Sequence, residues 1–106
     1  MSQPLRIDTD AEAEFQASAI WYEKQLEGLG QDFIAAVNTA ICEIQDNPMG
    51  YPIAPNIPDE LGVRKHFVKR FPYTIFYMAM NNEIHILAVA HGHRRPGYWQ
   101  QRIEED

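Results

Sequence analysis

Tyr73-Thr74-Ile75-Phe76-Tyr77-Met78-Ala79-Met80, followed by Asn81-Asn82 and then Glu83-Ile84-His85-Ile86-Leu87-Ala88-Val89-Ala90-His91, decides the fold. The first run is rich in aromatic and branched residues, which suit a pleated, half-buried surface. Asparagine tolerates positive φ, so Asn81-Asn82 reads as a two-residue hairpin turn. The second run is a strand with Ile84, Ile86, Ala88 and Ala90 expected on one face. Upstream, Gly62 to about Lys69 carries Val63, Phe67 and Val68 and forms the first strand of the same meander. Residues 47–61 hold Pro48, Pro52, Pro55 and Pro58 and read as a stiff connection within one domain.

Before that connection the period changes from two to about 3.6. Phe33, Val37, Ile41 and Ile44 mark a helix over roughly 31–46, which Asn47-Pro48 ends. Phe15, Ala19, Tyr22 and Leu26 mark an earlier helix. Thr9 and Glu12 fit a capping box at its start, and Asp10, Glu12 and Glu14 suit the positive end of its dipole. Gly28 and Gly30 stop it and allow a tight reversal. Pro4-Leu5-Arg6-Ile7 is a short strand candidate, Pro96-Gly97 breaks the last strand, and Tyr98 to Ile103 forms a last helical turn. The order is β-α-α-β-β-β: an α+β fold with a helical hairpin packed on a small antiparallel sheet, one domain over 1–106.

Charge is divided along the chain. Residues 1–61 hold two basic residues against eleven acidic ones, and residues 62–102 hold seven against one. All four histidines, His66, His85, His91 and His93, lie in the second half. The overall net charge of −6 argues against general nucleic-acid coating, while the basic half permits a local anion-binding face. Cys42 is the single cysteine, so no internal disulfide forms. No N-terminal stretch resembles a signal peptide, and the apolar runs are too short to span a bilayer. The expectation is a cytoplasmic protein with no membrane segment.

The order and spacing of several pieces resemble the RelE/ParE toxin superfamily over nearly the whole chain. The pieces are Trp21-Tyr22-Glu23, Gly28-Leu29-Gly30 with Phe33, Asn47-Pro48 and Val63-Arg64. Arg70-Phe71-Pro72-Tyr73-Thr74-Ile75-Phe76-Tyr77, Ile84 to His91 and Arg94-Arg95-Pro96 complete the set. The resemblance implies the toxin of a type II toxin–antitoxin pair, held inactive by a cognate antitoxin. RelE-like members cut messenger RNA in the ribosome, whereas ParE-like members poison DNA gyrase. The helical hairpin and the Tyr73–Tyr77 strand look more like the ParE and plasmid-stabilisation branch. RelE-type nucleases carry an arginine beside the strand aromatic, where Thr74 stands here. Three readings stay open: a ParE-like binder of a target such as gyrase, a ribosome-dependent mRNA endonuclease, and a degenerate member that only binds its antitoxin.

Metal-independent RNA cleavage needs a base, an acid and cations around one phosphate. Arg64, His91, Arg94 and Tyr98 are the catalytic candidates if the chain is an enzyme. As a binder, its target-contact candidates are Arg64, Lys69, Arg70, His93, Arg94, Arg95 and Trp99. Arg64 has a second reading, as a surface partner of Glu23 or Glu27. Phe71, Tyr73, Phe76 and Tyr77 are expected in the sheet core, with Tyr98 and Trp99 outside it. His91-Gly92-His93 lacks the ligand spacing of a zinc motif, so neither a metal nor a cofactor is expected.

Overall fold

In the computed structural model, which describes residues 4–95 and 97–104, the chain runs β1 (Leu5–Ile7), α1 (Thr9–Gln25), α2 (Leu29–Asp46), a 3-10 turn (Asp59–Leu61), β2 (Val63–Phe67), β3 (Tyr73–Met80), β4 (Glu83–His91) and α3 (Gln101–Glu104). The sheet order is β1-β4-β3-β2. The β2–β3–β4 meander is antiparallel as expected, and β1 extends it in parallel to β4, with Leu5 opposite Ile84 and Ile7 opposite Ile86. The β3–β4 turn places Asn81 at φ 52° and Asn82 at φ 60°, the left-handed pair that a tight hairpin demands. Pro96 and the tail residues Glu105 and Asp106 lie outside the described residues.

Two cores sit on the two faces of this sheet. The helical hairpin covers one face, where Phe33, Val37 and Ile44 meet Tyr73, Ile75, Tyr77, Ile84 and Ile86. The connection after α2 and the C-terminal segment cover the other, where Ala54, Ile57 and Trp99 meet Val63, Met78, Leu87 and Ala88. The alternation expected along β4 therefore fails halfway. Ile84 and Ile86 face the helices, but Ala88 and Ala90 belong to the second core. The cause is a register shift: Tyr77 pairs with Ile86 and Phe76 with Ala88, so Leu87 is the extra residue of a β-bulge.

Local chemistry also corrects the helix ends. Asp8, not Thr9, is the N-cap of α1, and its carboxylate accepts from the Asp10 amide at 2.9 Å. Glu14 is turned inward rather than serving the dipole. Gly28 supplies the reversal with φ 89°, while Gly30 lies inside α2. Gly28 has no side chain to cap α2, and Glu23 does so from α1, accepting from the Gly28 and Gly30 amides at 2.9 and 3.0 Å. Leu26, expected in the buried stripe, ends the helix and is exposed, as is Phe67 on β2.

Candidate functional site

The C-terminal segment reaches back from the sheet to the start of α1. Its anchor is Arg102, buried with a side chain only 7% exposed. Arg102 donates to Glu14 through Nη1 (3.2 Å to Oε1) and Nη2 (3.0 Å to Oε2), and Nη1 also donates to the Leu87 carbonyl at 2.8 Å. The bulge frees that carbonyl for this contact. Asp8 and Asp10 stand 3.9 Å from Nε. Burial alone would lower the Arg102 pKa; the hydrogen bonds and charge of Glu14 outweigh it and raise it.

Glu14 also accepts the Tyr98 hydroxyl at 2.5 Å and the Val89 amide at 3.3 Å. Burial, and then the bond to this carboxylate, push the Tyr98 pKa far above its ordinary value. The Arg94 guanidinium lies over the Tyr98 ring, 4.0 Å from its centroid. The His93 amide donates to His91 Nδ1 at 3.0 Å, so a neutral His91 carries its proton on Nε2. The two imidazoles stack at 5.0 Å, and His91 meets Tyr73 edge-on at 5.1 Å. The Tyr73 hydroxyl donates to Ser18. Glu14, Ser18, Tyr73, His91, Arg94 and Tyr98 all line one cleft of about 460 Å³ between α1 and the end of β4.

The structure gathers some sequence candidates here and places others elsewhere. His91, Arg94 and Tyr98 share this cleft, and exposed Arg95 lines an adjoining hollow with His91 and Arg94. His93 is exposed beside them. Arg64 is at the other end of β3, opposite Tyr77, where it donates to the Tyr51 carbonyl at 2.6 Å. Neither Glu23 nor Glu27 is its partner, since Glu23 caps α2. Lys69 and Arg70 flank a separate hollow against α2, and Arg70 pairs with Asp32 at 3.7 Å. Trp99 was expected outside the core and is instead 1% exposed, stacked on Phe76 at 4.7 Å.

Glu14 and Arg102 did not appear among the sequence candidates. Trp99 and Arg102 are three residues apart on a helical turn and so share a face, but this becomes a signal only once Trp99 is known to be buried, and the sequence placed it outside the core. An arginine on the face of a core tryptophan needs a buried acid. Among the described residues no group of three or more histidine, cysteine or acidic side chains is placed to hold a metal ion. No helix among them is long and apolar enough to cross a membrane.

Similar architecture occurs in solved structures. A chain of the chromosomal ParDE TA system from P. aeruginosa superposes with a TM-score of 0.70 at 20% identity, covering 85% of this chain and 96% of that one. A mutant of the E. coli toxin RelE in the free state superposes with a TM-score of 0.57 at 13% identity, covering 99% and 93%. At these identities the likeness is one of fold. No curated protein sequence gives a significant match. The family model described as ParE toxin of type II toxin-antitoxin system, parDE, matches residues 5–96, from β1 past the end of β4. The chain therefore belongs to the ParE toxin family of type II toxin–antitoxin systems.

Proposed function

We propose that this toxin acts in the cytoplasm by binding a cellular target such as DNA gyrase, through the surface carrying His91, His93, Arg94 and Arg95, and that it is not a nuclease. The observation that carries this reading is the state of Tyr98. Its hydroxyl donates to the Glu14 carboxylate, so the proton that a general acid would pass to a leaving oxygen is engaged within the fold. Arg64, the other cation candidate for a cleaved phosphate, is engaged with a backbone carbonyl at the far end of β3. What remains beside His91 is a cationic surface, suited to contact rather than to paired proton transfer.

A cognate antitoxin is the second partner. The ParDE system of P. aeruginosa shares the fold, and the helical hairpin here leaves Ile20, Trp21 and Leu26 more than half exposed. Apolar residues of this size suit an amphipathic helix laid along the hairpin, and the short strand β1 leaves a sheet edge open for an added strand.

Expression of the chain alone is expected to arrest growth with filamentation and DNA-damage signalling, and the purified protein to inhibit gyrase supercoiling. Co-expression of the neighbouring open reading frame is expected to restore growth, with both products purifying together. Codon-specific mRNA cuts within minutes of induction, mapped by primer extension and removed by His91→Ala, would establish the endonuclease instead. Growth unaffected by strong expression, with the antitoxin still bound, would identify a degenerate member.

A further inference from the structure

Arg94 is the cation of the cleft with the least conventional support. Among the described residues no carboxylate pairs with it, and its guanidinium lies over the Tyr98 ring at 4.0 Å. A cation over an aromatic face is attracted to it, so the ring's orientation biases where the cation sits. The ring is fixed from its far end, because the Tyr98 hydroxyl is bonded to Glu14. Glu14 is itself fixed by Arg102 and by the Val89 amide of β4. A continuous line of contacts thus runs from the bulged centre of β4, through a buried ion pair, to an exposed guanidinium.

We propose that Glu14 is a positioning residue for target recognition: it fixes the Tyr98 ring as the platform on which Arg94 is presented to an anionic group of the target. The proposal rests on the reading of Arg94 as a target contact. Glu14 never meets the target. Its carboxylate keeps the ring in one orientation, so the guanidinium is presented without first losing the rotamer freedom of a long side chain, a cost that binding would otherwise carry. The Glu14–Arg102 pair has a structural role as well, and the test must separate the two.

The separation is a double-mutant cycle with Glu14→Gln, Arg94→Ala and the pair together. Two properties are read in each variant: the concentration that half-inhibits supercoiling by purified bacterial DNA gyrase, and the urea midpoint of unfolding. Arg94→Ala is expected to weaken inhibition about tenfold, the size of one lost contact to a charged group. Glu14→Gln is expected to weaken it by several-fold in the parent and not at all in the Arg94→Ala background, while lowering the urea midpoint equally in both. A further readout involves no target. The Arg94 Nε–Hε signal in a ¹H–¹⁵N spectrum is expected to carry a ring-current shift that Glu14→Gln removes. Should Glu14→Gln not fold, Tyr98→Phe keeps the ring and drops the tie, and is expected to behave the same way. An equal loss of inhibition in both backgrounds, or an Arg94 signal that keeps its ring-current shift in the variants, overturns the positioning role and leaves the target reading standing. Undiminished inhibition by Arg94→Ala overturns the target contact itself, and the positioning role with it.

Discussion

Tyr77 carries its ring into the helix-side core, fully buried, and its hydroxyl donates to the Pro48 carbonyl at 2.6 Å. Burial pushes its pKa from 10.0 up to about 12, with nearby Arg64 opposing and Tyr51 adding to the rise. The folded chain therefore keeps this proton at a pH where the unfolded chain has lost it. Stability from this group is complete below pH 10 and is lost as pH rises from 10 toward 12. The urea midpoint of the parent is expected to fall steeply above pH 10. In Tyr77→Phe it should start lower, by about 1 kcal/mol at neutral pH for the lost hydrogen bond, and fall less steeply. Parallel curves would assign the alkaline loss to other tyrosines. At this scale the sequence was legible only in part. Arg94 and Tyr98 could be picked out because they follow the last strand. Glu14 could not, because an acid near a helix start already has an ordinary explanation and its partner is 88 residues away.

The existence and order of the elements were the most legible feature, and β3 and β4 run over the residues their composition and turn imply. The bulge was not legible: both faces of β4 are buried, so Leu87, Ala88, Val89 and Ala90 show no polar residue to mark the change of face. Nor was the partner of β1, since a three-residue strand fixes no register by itself. The hairpin of α1 and α2 was foreseen from its glycines, but their tasks differ. Gly28 serves the turn. Gly30 serves packing: a β-carbon there would stand 2.6 Å from the Ala19 carbonyl oxygen and 2.9 Å from Glu23 Cβ, the base of the side chain that caps α2. A backbone carbonyl cannot swing aside as a side-chain tip can, so the helices must separate. Gly30→Ala is expected to destabilise the fold by about 1–3 kcal/mol, the range for overpacking, despite alanine's better helix propensity. Chemical denaturation measures this, and an unchanged or raised midpoint would mean the helices are free to move apart.

For the whole molecule, the charge division along the sequence is largely resolved by folding. Arg6 meets Glu83, His66 meets Glu43, Arg70 meets Asp32 and Arg102 meets Glu14. Arg94 and Arg95 are among the cations without a carboxylate partner among the described residues, and Lys65 lies over the exposed Phe67 ring at 5.4 Å. The arginines that the sequence offers together as target-contact candidates therefore divide. Arg94 and Arg95 form a surface beyond the end of β4, and Arg64 fastens the connection after α2 to β2. This division predicts opposite phenotypes. Reversing Arg94 and Arg95 together to glutamate should abolish growth arrest while leaving the circular dichroism spectrum unchanged and stability within about 0.5 kcal/mol, as for exposed positions. Arg64→Gln should retain growth arrest but lose about 1–3 kcal/mol, because the Tyr51 carbonyl loses a charged donor in a partly buried site. The measurements are colony counts after induction and urea unfolding of each purified variant. A toxic, folded Arg94/Arg95 double variant would make that surface incidental. A stable but harmless Arg64→Gln would extend the target surface to the opposite end of β3, where the basic face and the connection after α2 would have to be contacted together.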